Sequence, residues 1–162
     1  MTVLKGNTRL NDNFITDCGD RVSEYYDTEV GSIITSNPDF LEGFEIVDEI
    51  EAKLEEYVSQ KNMKYFYPRV TFCQSADWHV DTFSYSVMVI LKSNGHTIQI
   101  RDDEEEYECS PESCEVIILR SDVSHQLVES EDSSSFIFVA FDIPREEENA
   151  FEKALEIFKE LT

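Results

Sequence analysis

The stretch that decides the fold is Trp78-His79-Val80-Asp81-Thr82-Phe83-Ser84-Tyr85-Ser86-Val87-Met88-Val89-Ile90-Leu91. It opens with an imidazole and a carboxylate two residues apart and closes on an unbroken apolar run. In an extended chain, residues two apart point to the same side, so His79 and Asp81 can converge on one ion. The run Val87 to Leu91 does not alternate, which predicts a strand buried on both faces and covered by helices or a second sheet. The same parity places Tyr85 on the face of His79, Asp81 and Phe83, where it either touches a bound acid or packs in the core. Trp78 points the other way and reads as packing.

Working outward, the runs Arg69 to Cys73, Thr97 to Ile100, Val116 to Leu119 and Phe136 to Phe141 are short, apolar and bounded by polar turns such as Ser93-Asn94-Gly95. They predict strands. Upstream, Ile46, Val47, Ile50, Leu54, Tyr57 and Val58 recur at three and four, the period of an amphipathic helix over 44–60. Downstream, Pro144 suits a first helical turn, Glu146 to Glu148 suit its positive end, and Phe151, Ala154, Leu155, Phe158 and Leu161 form one stripe. Residues 1–43 are polar and mixed, and only short pieces can be assigned there. The expected organisation is one domain, 1–162, with helical or irregular support over 1–64, a strand-rich core over 65–142 and a closing helix over 144–162.

The chain has 162 residues, 41% apolar, with 13 Lys and Arg against 35 Asp and Glu for a net charge of -22. That is enough apolar material for a real core. The charge argues against a basic nucleic-acid groove and against anionic membrane surfaces, both of which need clustered Lys and Arg. The run Asp102 to Glu106 reads as a solvated, mobile loop. No early stretch joins a basic flank to an apolar core and a cleavage site, and no apolar run approaches a membrane span, so a soluble cytoplasmic protein is expected. Cys18, Cys73, Cys109 and Cys114 lack metal-ligand spacing and read as free thiols, with a local Cys109–Cys114 disulfide as the alternative in an oxidising compartment.

With three histidines and 13 aspartates in 162 residues, a His-x-Asp triplet arises by chance about one time in four, so its surroundings must carry the reading. A distant histidine would complete a facial triad, and His125, beside a further strand, is the candidate. Two imidazoles and one carboxylate leave coordination positions open, which suits a ferrous ion that must hold other ligands. His96 follows Gly95 in a turn and reads as a strand residue.

The order Arg69-Val70-Thr71-Phe72-Cys73, Trp78-His79-Val80-Asp81, Ser86 to Leu91, Ser93-Asn94-Gly95, His96 to Ile100, Ser110 to Leu119, Ser124-His125-Gln126-Leu127-Val128 and Ser135 to Asp142 resembles the 2-oxoglutarate and Fe(II)-dependent dioxygenase superfamily, particularly its small prolyl-hydroxylase-like members. The resemblance implies a mainly β fold with flanking helices (α+β), built on a double-stranded β-helix (jelly-roll, cupin-like) core. It implies Fe(II) held by His79, Asp81 and His125, 2-oxoglutarate as co-substrate, and hydroxylation of a protein side chain or small metabolite. Members place a basic residue nine or ten positions after the second histidine, and here that neighbourhood is Ser133-Ser134-Ser135. Ser134 and Tyr85 are then the expected contacts of the acid, and the cation comes from Arg69, Lys92, Arg101 or Arg120, of which Lys92 at the end of the apolar strand is the choice. Two alternatives stand beside this reading. One is a cupin-like metal-binding protein that does not use 2-oxoglutarate. The other is a non-enzymatic acidic protein that mimics a nucleic-acid backbone to a basic protein partner.

Overall fold

The computed structural model describes residues 3–25, 45–58, 66–103, 105–129 and 135–162. Its strands are β1 (Val3–Asn7), β2 (Pro68–Cys73), β3 (Ala76–His79), β4 (Phe83–Lys92), β5 (Thr97–Asp102), β6 (Glu105–Cys109), β7 (Glu115–Arg120), β8 (Ser124–Val128) and β9 (Phe136–Pro144). Its helices are α1 (Asp12–Tyr25), α2 (Glu45–Glu55) and α3 (Ala150–Leu161). The strands form two antiparallel sheets, ordered β1-β7-β4-β9-β2 and β3-β8-β5-β6. This is a double-stranded β-helix core with helices on one side.

The unbroken apolar run is explained by the position of β4 at the centre of the five-stranded sheet. Val87, Val89 and Leu91 pack with Val116, Ile118, Ile137, Val139 and Phe141 against the three helices. Met88 and Ile90 face the other way and pack with Ile98, Ile100, Ile117, Leu119 and Phe136 between the sheets. Strands with two dry faces need apolar residues at every position, and that need overrides alternation. The stripe Ile46, Val47, Ile50 and Leu54 of α2 is buried as its period predicts; of the downstream stripe, Ala154, Phe158 and Leu161 of α3 are buried together with Ile157, which the stripe omitted, while Phe151 and Leu155 are half-buried.

Four details differ from the sequence reading. Residues 1–43 contain a full helix, α1, and the edge strand β1, which pairs with β7. Pro144 ends β9 instead of opening a helix, and α3 begins after Asn149, whose φ of 55° starts the turn. A strand end tolerates proline because no further ladder bond is required of its nitrogen. The acidic run is not simply a loop: Asp102 ends β5, Asp103 sits at φ 56°, and Glu105 and Glu106 belong to β6, paired with β5 as a hairpin. Its charges still lie on an exposed edge, which discourages strand addition. Lastly, β3 and β4 are separate strands in separate sheets, with consequences for Tyr85 given below. All four cysteines are free thiols. Among the described residues, no helix is long and apolar enough to cross a membrane.

Gly95, at φ 79°, makes the turn between β4 and β5. Gly19 has a different task. A Cβ there would lie 2.7 Å from the carbonyl oxygen of Leu91, so α1 crosses β4 at a distance only glycine permits. Gly19→Ala is therefore expected to destabilise the protein by about 1–3 kcal/mol despite alanine's better helix propensity. Urea unfolding checks this, and an unchanged or raised midpoint would contradict the close approach.

Candidate metal centre

His79 and His125 are direct cross-strand partners in the β3–β8 ladder. Opposed residues share a face, so both imidazoles enter the space between the sheets. Parity alone would not have put His79 there. Ala76 pairs with Leu127 and His79 with His125, so three steps on β3 match two on β8 and the strand carries a bulge. The extra residue returns His79 to the face of Ala76, the use to which bulges beside functional sites are put. Asp81 follows just beyond the strand. Its N–H donates to the Ser121 carbonyl at 2.9 Å, and the Arg145 guanidinium donates to its carbonyl.

The side chains converge. His79 Nε2 lies 3.3 Å from Asp81 Oδ1 and His125 Nε2 lies 3.3 Å from Asp81 Oδ2. The two rings stand 4.3 Å apart at 58°, and the three ligand atoms fall within 4.8 Å of one another. On the far side of each ring, Nδ1 donates to a backbone carbonyl: His79 to Asp77 at 2.6 Å and His125 to Val123 at 2.8 Å. A carbonyl only accepts, so each Nδ1 carries the proton and each Nε2 presents a lone pair inward, as in metal-ligating histidines. Two inward lone pairs and a carboxylate repel unless a cation lies among them. A proton can serve in part: Asp81 raises the His79 imidazole above its ordinary value, with burial opposing. Burial pushes the Asp81 carboxyl up, but the His125 and His79 side chains against it outweigh burial and hold Asp81 well below the usual carboxylate range. A divalent ion answers all three donors at once, and two imidazoles with one carboxylate fit a first-row metal with open positions.

The centre opens on a cavity of about 190 Å³ walled by Phe83, Met88, Leu119, Phe136, Phe138 and Ala140. The other expected site residues are elsewhere. Tyr85 packs on the helix side, its ring 5.5 Å from Phe151, because the chain changes sheets between His79 and Phe83 and parity does not carry across. Lys92 lies against α1, with Nζ 3.3 Å from Ser23 Oγ and 3.8 Å from Asp20, and does not line the cavity. Ser134 lies outside the described residues. Arg120 pairs with Asp122 and Asp102, and Arg101 pairs with Glu106 and covers the Trp78 ring at 4.0 Å. His96 is fully buried, its ring 5.3 Å from Phe136. Arg69 is exposed on edge strand β2, opposite Ala140 of the cavity wall. Among the described lining residues there is no Lys or Arg. The donor set therefore fits a metal, while the distal carboxylate of a dicarboxylic co-substrate meets no cation in this lining.

The sequence reading missed Asp142. It lines the cavity at the end of β9, and its Oδ1 accepts a hydrogen bond from Ser86 Oγ at 2.6 Å. Burial raises its carboxyl from 3.8 to about 6; Asp81 adds to the rise, while Ser86 and Arg69 oppose it. The available signal was parity within β9, where Phe136, Phe138, Ala140 and Asp142 share a face. Because the folded carboxyl titrates near 6 and an unfolded one near about 3.9, the native state holds the extra proton between these values. Stability from this group is present at low pH and is lost as pH rises through 6. Asp142→Asn is expected to remove that slope and add roughly 2 kcal/mol at neutral pH, a value discounted for exposure to the cavity. Urea unfolding of both proteins on either side of the titration measures it, and a variant less stable at neutral pH would contradict it.

No protein-family model matches the sequence, and no curated protein matches it. Solved structures do match. A prolyl-4-hydroxylase from Pseudomonas putida superposes over 89% of this chain and 93% of that one, at TM-score 0.56 and 10% identity. The non-heme alpha ketoglutarate dependent epimerase SnoN of nogalamycin biosynthesis covers 86% and 76%, at TM-score 0.57 and 8% identity. JOX2, solved in complex with 2OG, Fe and JA, covers 90% and 68%, at TM-score 0.58 and 10% identity. Identities this low speak for the fold. The chain thus has the double-stranded β-helix fold of the 2-oxoglutarate and Fe(II)-dependent oxygenase superfamily.

Proposed function

We propose that the protein is an Fe(II)- and 2-oxoglutarate-dependent oxygenase, a hydroxylase of a protein side chain or small metabolite. The observation that carries this is the convergence of His79, Asp81 and His125 at the mouth of a cavity, with both Nδ1 protons committed to backbone carbonyls. These three side chains would hold the ion. When bound, iron with the 2-oxo acid supplies oxygen activation coupled to oxidative decarboxylation. The chain's own part is orientation and shape. Asp77 and Val123 fix the imidazoles, the Ser121 carbonyl fixes Asp81, and Phe83, Met88, Leu119 and Phe138 give the space beside them an apolar wall.

The test is anaerobic titration with Fe(II) and then 2-oxoglutarate, followed by exposure to oxygen. The expected result is a visible charge-transfer band and succinate formed at the expense of oxygen. A second reading is favoured by the lining itself, which offers a carboxylate and no described cation: a metal-binding jelly roll that does not use 2-oxoglutarate. Iron bound at His79 and His125 without the band or succinate would select it. Failure to bind iron at all would end both readings.

A further inference from the structure

The triad leaves one charged group of the cavity without a task. Asp142 is the sole carboxylate besides Asp81 among the described lining residues. It belongs to a cross-strand row, Asp142–Ser86–Leu119, on the inter-sheet face of β9, β4 and β7. Its one hydrogen bond given by the geometry comes from Ser86, a neutral donor. Ser86 Oγ also lies 3.5 Å from Ser121 Oγ, whose own proton reaches the Phe83 carbonyl at 3.3 Å. The serines thus form a chain that ends on protein backbone and gives Asp142 a single hydroxyl.

A carboxylate has two oxygens and about four lone-pair sites, so one hydroxyl neither fills nor neutralises it. A neutral asparagine would accept the same bond. Keeping a charge in an apolar wall is costly unless a counter-charge arrives with a ligand. The cation that acts on it, Arg69, is an exposed residue of the edge strand and offsets the carboxylate only in part, since burial still raises it. A divalent ion at the triad would offset Asp81 and leave Asp142 with only the partial counter-charge of Arg69.

We infer that Asp142 is the recognition residue for a cationic nitrogen, an amine or guanidinium, on the molecule that enters the cavity beside the metal centre. This rests on the proposed function in taking that cavity as the substrate site. The substrate class is then a basic side chain or an amine metabolite, with its alkyl portion against Phe83, Met88 and Phe138 and its charge on Asp142.

The full chain, isotopically labelled, is titrated at constant ionic strength with n-butylammonium, 1-butanol and butyrate, each with and without Zn(II). The amide signals of Ser86 and Asp142 report binding. Butylammonium is expected to bind about tenfold or more tighter than butanol, and Asp142→Asn to reduce the ratio to within about twofold. Ser86→Ala, which keeps the charge, is expected to retain the preference. Equal binding of amine and alcohol by the wild type, a preference for butyrate, or a preference that survives Asp142→Asn would overturn the inference. The wild-type ratio decides alone if a variant does not fold. Zn(II) shifts of the His79 and His125 rings in the same samples test the metal reading separately. Amine preference without metal binding sinks only that reading, and metal binding without amine preference sinks only this one.

Discussion

Replacing His125 with alanine is expected to lower Fe(II) or Co(II) affinity by more than about a hundredfold and to abolish any turnover that depends on the metal. Loss of a group that only orients a ligand costs about 10- to 100-fold in affinity, and His125 is itself one of three donors. Its ring is buried, pinned at Nδ1 by the Val123 carbonyl, with Nε2 3.3 Å from Asp81. Asp81→Asn is expected to act similarly, because the amide lacks the negative charge that both imidazoles face. Anaerobic calorimetry measures the affinity. Trp78 gives a second signal: it is the one tryptophan, it adjoins His79, and a paramagnetic ion there quenches it. Metal binding as tight in His125→Ala as in the wild type would mean that the three residues are not the ligands. Circular dichroism on the same samples separates loss of the site from loss of the fold.

Phe141→Ala is expected to cost about 3–5 kcal/mol, the range for emptying a fully buried aromatic position. Phe141 is completely buried in β9, between β4 and β2, with its ring in the layer beneath the helices. Rigid strands on both sides limit collapse into the space. Against a total stability of about 5–15 kcal/mol, the loss brings the protein near the unfolding threshold. Phe141→Leu, which keeps much of the volume, is expected to cost about 1–2 kcal/mol. Urea midpoints order the three proteins. A small loss for the alanine variant would mean that the helix layer closes freely onto the sheet, contrary to the packing described. The neighbours Ala140 and Asp142 face the cavity, so the leucine variant should bind metal as the wild type does.

What could be read before folding follows from distance along the chain. The burial of Val87 to Leu91 on both faces and the helices at 45–55 and 150–161 rest on neighbours within a few residues, whose pattern is printed in the sequence. His79, Asp81 and His125 were legible because residue type and order carry chemistry of their own. Tyr85 and Lys92 were not: Tyr85 was assigned by carrying one strand's parity through a segment that changes sheets, and Lys92 only by its place at the end of the apolar strand, where the ladder shifts register between Ile90 and Lys92. Asp142 was overlooked for the opposite reason: its significance depends on Ser86 and Asp81, 56 and 61 positions away, and nothing local marks it.

The sequence by itself determined the strand-rich core, the flanking helices and the three residues singled out as candidate donors. These follow from hydrophobic periodicity and from the kinds of atoms available. The tertiary structure decided what surrounds the donors. Only the bulge in β3 turns His79 inward, only the pairing of β3 with β8 opposes it to His125, and only the pairing of β4 with β9 sets Ser86 on Asp142. Charge balance in a cavity is a property of residues from many strands. A net charge of -22 could not reveal that the described wall beside the metal centre holds a carboxylate and no cation. Cross-strand register sets that balance, because it selects which of the many acidic residues is carried out of water and which remain on the surface.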